Sequence, residues 1–358
     1  MENPFYQYNP ADENLRDIHA LRVDREREVS LCRDAIVKSH HNVLLYGTRG
    51  VGKTFLLRLV EKEVADQDKS IFPCIANIAS LSEYRIANDV GAFPRAVLLQ
   101  LCTFLWTQVL GKSYLDLRDS LDETGQEIHR RAKDEVTVRR IYRHLMLLER
   151  SVHSALFNTV GFSVGVRGEK KEEAGQHMLH SSVLPFEFAE FAHELVTNVL
   201  APRDKSRLVV LCDEANQMPI FKQEEILERY LELFSSKRVQ FVFVAGMVPW
   251  DTKAFLPSCF ETRLELKGFD SKTCVEELIS RAQTKVSFTK EAIDVLFEAY
   301  AGHPRCTITA CRIAHDEAVE AGAQEVSAAV VLRVMNRLDE ERRQHERMMR
   351  RELENEES

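Results

Sequence analysis

The sequence of 358 residues contains no long hydrophobic run. No apolar stretch approaches the roughly 18 residues that a membrane-spanning helix requires. The first residues, Met1 to Tyr6, have neither the basic flank nor the apolar core of a secretion signal. We therefore expect a protein that does not span a membrane and that resides in the cytoplasm.

The cysteine spacing and the net charge exclude further classes of site. The eight cysteines are scattered, and no two have the two-residue gap of zinc knuckles and thiol redox motifs. Positive charge is not in excess either, because 48 Lys and Arg residues against 56 Asp and Glu residues give a formal net charge of −8. A protein that coats nucleic acid through its overall charge is not expected, so any DNA contact has to come from a local cluster of positive residues.

The composition predicts a folded protein of two parts. Hydrophobic residues make up 44% of the chain and charged residues 29%, a balance that supports a packed core. Single cores stop growing near about 250 to 300 residues, so a second, smaller domain is expected. The predicted parts are a lead-in at 1–20, a core domain at 21–270 with an insertion at about 81–204, a helical domain at 271–336, and a charged helix or tail at 337–358.

A glycine-rich loop follows the first predicted strand. The apolar run Val43 to Tyr46 predicts a buried strand, and Lys53 to Asp66 has helical spacing. A second strand is predicted at Ile71 to Ile78, and this order is the opening of a parallel P-loop sheet. The loop consists of Gly47, Thr48, Arg49, Gly50, Val51, Gly52, Lys53 and Thr54.

The loop has the residue types that a nucleoside triphosphate needs. Glycines let main-chain N–H groups approach the phosphates closely, and the following helix N-terminus favours negative charge. Lys53 is predicted to contact the β- and γ-phosphates, and the Thr54 hydroxyl to bind Mg²⁺. A glycine-rich turn without a ligand is the alternative, but the flanking strand and helix favour ATP with Mg²⁺.

Two carboxylates end a later strand. The apolar run Leu208 to Cys212 predicts a buried strand, which ends in Asp213 and Glu214. Asp213 is predicted to reach Mg²⁺ through its water shell, and Glu214 to polarise an attacking water. A solvated turn is the alternative for such a pair, and the glycine loop favours the catalytic role.

The remaining pattern is mostly helical between about 81 and 204 and fully helical from Ser271 onward. The predicted fold class is therefore α/β, with a parallel P-loop sheet flanked by helices, a large helical insertion and a small C-terminal helical lid domain.

These motifs resemble those of AAA+ ATPases, in the group of origin-recognition-type initiators, transposon target-selection ATPases and STAND signalling ATPases. Val23 to Glu28 is similar to the family's Gly-Arg-Glu-x-Glu element, with Asp24 where glycine is usual. Gly302-His303-Pro304-Arg305 is similar to sensor 2. The resemblance implies that Arg305 reaches the γ-phosphate from the lid, and the alternative is an ordinary charge at a helix start.

The resemblance also implies an arginine donated by a neighbouring subunit, and so a homo-oligomer. Arg263 is at such a position, and the alternative is a surface arginine paired with Glu261 or Glu265. The chain departs from the family at sensor 1, because the strand that ends at Val244 to Met247 has no polar residue there. Slow hydrolysis, or hydrolysis completed only in an assembly, is expected, which suits a timer or switch.

Two uses of ATP are open, and both involve a protein effector. The first is a regulator that assembles on duplex DNA with ATP and recruits a partner enzyme; the second is a STAND-type scaffold that needs no nucleic acid. A remodeller that threads polypeptides is disfavoured, because the first loop lacks an aromatic-glycine signature. Cations that could track DNA phosphates are interleaved with acids, so a solvated face is the alternative. They are Arg130, Arg131, Lys133, Arg139, Arg140, Arg143, Arg150, Arg167, Lys170 and Lys171.

Overall fold

The computed structural model describes two long parts of the chain and several short ones. The described residues are Phe5, 22–77, Phe93, Val97, Leu101, His193, 196–201, 204–213, 220–235, 239–246, 259–300 and 302–356. The predicted insertion at about 81–204 therefore lies almost wholly outside the described residues.

Helices and strands alternate in the first part of the chain. The strands are β1 (Val43–Tyr46), β2 (Ile71–Asn77), β3 (Arg207–Asp213), β4 (Gln240–Ala245) and β5 (Thr262–Glu265). The helices are α1 (Glu26–Asp34), which continues as a π-helical turn (Ala35–Ser39), α2 (Lys53–Gln67), α3 (Ile220–Arg229) and α4 (Leu231–Phe234), with another π-helical turn at Val196–Leu200.

The last part of the chain is mainly helical. Its helices are α5 (Lys272–Arg281), α6 (Lys290–Tyr300), α7 (Pro304–Glu320) and α8 (Ala328–Glu356), and its short strands are β6 (Ser287–Phe288) and β7 (Glu325–Val326). No helix in the described part of the chain combines the length and the apolar character that crossing a membrane requires.

The five long strands form one parallel sheet in the order β2-β3-β4-β1-β5. Parallel registers join β1 to β4, β2 to β3, and β3 to β4. The central strands are buried along almost their whole length, as expected where helices cover both faces of a parallel sheet. This parallel sheet flanked by helices confirms the predicted fold class.

Tertiary contacts divide the chain into two units. One, here called the sheet unit, comprises Leu31–Tyr46 and Val60–Leu264. The other, here called the lid unit, comprises Met1–Ser30, Gly47–Leu59 and Glu265–Ser358. The glycine-rich loop and the start of α2 thus belong to the unit that contains the C-terminal helices, whereas the sequence pattern groups them with the core.

In the sheet unit, a buried asparagine holds the start of β1. The Asn42 amide nitrogen donates to the carbonyl oxygens of Phe234 and Cys259, the latter at 2.9 Å. Its side-chain oxygen accepts from the main-chain N–H of Phe241 at 2.7 Å. These bonds satisfy a buried polar group and fix the strand that leads into the loop.

In the lid unit, helices α5 to α8 enclose a separate apolar core. Phe5, from the start of the chain, is only 2% exposed and meets Phe288 edge to face with ring centroids 6.1 Å apart. Burying a phenylalanine side chain contributes about 1.5–3 kcal/mol, so this contact stabilises the packing of Phe5 in the lid unit. The charged helix α8 extends from this core, and its Arg337 pairs with Glu317 of α7 at 3.0 Å.

Candidate nucleotide-binding site

The loop predicted to bind phosphate runs directly from β1 into α2. Because α2 begins at Lys53, main-chain N–H groups of its first turn lack partners within the helix, and such a terminus attracts anions. Lys53 is 5% exposed, and its ammonium donates to the carbonyl oxygens of Gly47 and Thr48, each at 2.7 Å. Thr54 follows, half-buried, in the same turn.

These groups fit ATP with Mg²⁺ by their chemistry. The ammonium of Lys53 and the N–H groups at the start of α2 are donors for phosphate oxygens. The Thr54 hydroxyl and, in the sheet unit, the Asp213 carboxylate each carry oxygen atoms of the kind that Mg²⁺ prefers as ligands.

Gly47 lies against the segment after β5. A Cβ added to Gly47 would collide with the carbonyl oxygen of Leu266, and it would lie 3.2 Å from Cγ1 of Val51. Only glycine therefore allows the loop to leave β1 at this distance from Leu266.

Gly50 lies against the start of α7 in the lid unit. Its φ angle is +87°, and an added Cβ would lie 2.7 Å from Cε1 of His303 and 2.9 Å from Cβ of Arg305. The predicted sensor 2 turn thus packs directly on the loop, and glycine at position 50 leaves room for it.

The sensor 2 turn also forms hydrogen bonds with the loop. His303 Nε2 lies 2.8 Å from the carbonyl oxygen of Arg49, and the main-chain N–H of Arg305 donates to the carbonyl oxygen of Gly50 at 3.2 Å. His303 is also the N-cap of α7, with its Nδ1 accepting from the N–H of Cys306 at 3.5 Å. The predicted lid arginine therefore contacts the loop through its main chain, and its side chain is exposed.

Two hydrogen bonds raise the pKa of His303 above its usual value. The larger cause is the bond with the side chain of Cys306, and the bond with the Arg49 carbonyl adds to it. Partial burial and the charge of Arg305 act in the opposite direction.

Arg25 is a third contact with the loop. Its side chain is buried, and its guanidinium donates to the carbonyl oxygens of Val51 at 3.2 Å and Lys267 at 2.8 Å. The preceding residue, Asp24, has a φ angle of +50°, in the left-handed region that glycine favours and that aspartate tolerates. This conformation explains how aspartate fits where the family element usually has glycine.

Asp213 ends β3 within the sheet unit and is 3% exposed. Because β1, β3 and β4 are parallel, their carboxyl ends lie at one edge of the sheet, the usual ligand-binding edge of such sheets. The chain enters the glycine-rich loop from that edge, directly after Tyr46.

Other predicted site residues fall outside the described part of the chain. Glu214 is one of them, so its placement beside Asp213 stays a prediction. The cations proposed to contact DNA, between Arg130 and Lys171, are outside it as well.

Arg263, the predicted intersubunit arginine, is exposed on β5, the last strand of the sheet among the described residues. Its pairing with Glu261 or Glu265 stays an open alternative. Glu261 accepts from the main-chain N–H of Asn42 at 3.0 Å, and Glu265 lies 3.7 Å from the ammonium of Lys267.

A glutamine of α3 whose side chain bonds to the residue after β4 was not identified from the sequence. The Gln223 side chain, 1% exposed, accepts from the main-chain N–H of Gly246 at 2.8 Å. It thus provides a polar group at the strand end where the sequence has none. Its helical spacing could have indicated that it is buried, because Gln223 lies on the same face of α3 as the buried residues Ile226 and Leu227.

No family model and no curated protein matches this sequence. The chain is similar in structure to Drosophila ORC bound to DNA, at 16% identity and a TM-score of 0.46, over 89% of this chain and 64% of that one. It is also similar to the Thermotoga maritima RuvB Holliday junction branch migration motor, at 15% identity and a TM-score of 0.40, over 87% of this chain and 67% of that one. The parallel sheet flanked by helices agrees with the α/β fold class that the sequence predicts.

We expect Gly50→Ala to destabilise the chain more than Gly322→Ala does. Both positions have left-handed φ angles, +87° and +66°, so both substitutions introduce a strain of about 1–2 kcal/mol. Only at Gly50 would the new methyl group collide, and such overpacking costs about 1–3 kcal/mol more. Urea unfolding followed by circular dichroism measures both losses, and equal losses would contradict the packing of the lid turn on Gly50.

Proposed function

We propose that this chain is an ATPase of the AAA+ type that acts as a nucleotide-dependent assembly switch. The observation that carries the proposal is the double hydrogen bond between the glycine-rich loop and the sensor 2 turn. A switch requires a structural element that senses whether nucleotide is bound. Here the loop that would bind phosphate is bonded directly to the first turn of a lid helix.

Lys53 and the N–H groups at the start of α2 are proposed to bind the phosphates. Thr54 and Asp213 would hold Mg²⁺, which would draw charge from the phosphate oxygens. Glu214 would accept a proton from the attacking water. The position of Lys53 at the first residue of α2, and that of Asp213 at the end of β3, support these roles.

Hydrolysis is proposed to be slow and to be completed in an oligomer. Arg305 would contact the γ-phosphate, and Arg263 would act on a neighbouring subunit, for which its exposure on β5 is suitable. The carboxamide of Gln223 lies at the end of β4, the strand between β3 and β1 in the sheet. It would take the place of the polar residue that β4 lacks at that end.

The switch is proposed to oligomerise with ATP on duplex DNA and to regulate a partner enzyme in the cytoplasm. The cations of the insertion are the chemistry that would contact DNA. The alternative is a STAND-type signalling ATPase that scaffolds a protein effector without nucleic acid. The two proposals share the ATP site and differ only in whether DNA is bound.

We expect Lys53→Ala to weaken ATP binding by at least tenfold, because a hydrogen bond to a charged group contributes about 1.5–3 kcal/mol. Lys69→Ala is the matched control, since Lys69 is exposed and pairs with Asp66 at 3.1 Å, outside the loop. Titration of a fluorescent ATP analogue in the presence of Mg²⁺ measures both affinities. Equal affinity of Lys53→Ala and the parent would remove the loop from nucleotide binding and overturn the proposal.

We expect the chain to bind duplex DNA with a non-hydrolysable ATP analogue and to bind it less well with ADP. The affinity should fall steeply between 50 and 200 mM salt, because phosphate contacts release counterions. Fluorescence anisotropy of a labelled duplex measures this dependence. A preparation that binds the analogue but no DNA at low salt would exclude the DNA-associated role and favour the protein-effector alternative.

A further inference from the structure

Three consecutive carbonyl groups of the glycine-rich loop are each bonded to a donor from another part of the lid unit. Arg49 accepts from His303 Nε2, Gly50 from the main-chain N–H of Arg305, and Val51 from the guanidinium of Arg25. The three distances are 2.8, 3.2 and 3.2 Å. We refer to these three bonds as the carbonyl clamp.

The clamp determines where the loop's N–H groups point. A trans peptide unit is planar, so each carbonyl and the N–H of the next residue point in opposite directions. Holding the carbonyls of Arg49, Gly50 and Val51 therefore also fixes the direction of the next three N–H groups along the chain. Those groups belong to Gly50, Val51 and Gly52, within the segment that would surround the phosphates.

Because the loop is rich in glycine, donors from outside the loop restrict the conformations it can adopt. Gly50 and Gly52 have φ angles of +87° and +99°, and glycine gives the chain access to many other conformations. Every hydrogen bond that restricts these alternatives reduces the entropy lost when phosphate binds.

The donors come from the first and the last of the three chain segments that form the lid unit. Arg25 lies just before α1 and also donates to the carbonyl oxygen of Lys267, at 2.8 Å. His303 is the N-cap of α7, and Arg305 lies in the first turn of that helix. The orientation of the loop thus depends on where the start of α7 lies.

We propose that Arg25 and His303 are positioning residues that orient the phosphate-binding N–H groups, so that nucleotide affinity depends on the contact between α7 and the loop. This inference rests on the proposed nucleotide site and adds its regulation. By linkage, whatever moves the start of α7 changes nucleotide affinity, and nucleotide changes the position of α7 by the same free energy.

His303 has two functions that substitutions can separate: it donates to the loop, and it caps α7. A nitrogen that contacts a carbonyl oxygen has to carry the proton, so Nε2 is the donor toward Arg49. The opposite nitrogen, Nδ1, caps α7 by accepting from Cys306. One substitution can therefore retain the acceptor that caps α7 while it removes the donor to Arg49. Another substitution can retain the donor to Arg49.

Two neutral variants separate the functions. His303→Ser retains an N-cap acceptor, since serine is a preferred N-cap residue, but its side chain is too short to reach Arg49. His303→Gln places an amide donor at a similar reach from the main chain as Nε2. A matched control for the loss of a histidine is His193→Ser, because His193 is exposed and outside the lid unit.

We expect His303→Ser to bind a fluorescent ADP and a non-hydrolysable ATP analogue about fivefold to tenfold less tightly, as removal of one hydrogen bond predicts. His303→Gln should recover most of the affinity, and His193→Ser should match the parent. Parent affinity in His303→Ser would overturn the inference. Equal losses in the serine and glutamine variants would also overturn it, because the donor would then be irrelevant.

Hydrogen exchange without nucleotide tests the clamp independently of the proposed function. The amide of Arg305, which donates to the carbonyl oxygen of Gly50 in the clamp, should exchange faster in His303→Ser than in the parent, and at the parent rate in His303→Gln. If the parent binds no nucleotide, the proposed function is wrong, and exchange alone then decides on the clamp. Unchanged exchange in His303→Ser would overturn it.

Discussion

The contact between the glycine-rich loop and the first turn of α7 is the interaction on which the candidate site depends. A phosphate site needs main-chain N–H groups that converge, yet the glycines that permit this shape also permit many others. The loop carbonyls are held by Arg25, His303 and the main chain of Arg305, so the loop has one shape only while the lid unit is assembled around it. The same feature makes the loop suited to a switch.

The sheet unit carries the acidic residue that the proposed function assigns to Mg²⁺. The order β2-β3-β4-β1-β5 brings the carboxyl ends of β3, β4 and β1 to one edge, where Asp213 and the buried Gln223 add polar groups to an apolar surface. Asn42 fixes the opposite end of β1 through bonds to three segments of the sheet unit. The strand ends of the sheet unit and the clamped loop of the lid unit are thus each held by hydrogen bonds within their own unit.

Elements with a strong local signal could be predicted from the sequence. Continuous apolar runs predicted β1 and β3, and helical spacing predicted α2, because each pattern lies within the residues of the element. The strands β6 and β7 have two residues each and were not predicted, since such short segments have no period.

The contacts that define the candidate site were less accessible to prediction. The loop residues followed from their order, but the bond between Arg49 and His303 joins positions 254 residues apart and leaves no local pattern. The Gln223 contact with Gly246 depends on the packing of α3 beside β4, which sequence spacing alone does not specify.

Hydrogen exchange of the parent chain, with and without a non-hydrolysable ATP analogue, tests most directly whether nucleotide binding reaches the lid. The account predicts that protection increases together in the loop, at 49–54, and in the first turn of α7, at 302–306. Protection confined to the loop, with exchange at 302–306 unchanged, would contradict it.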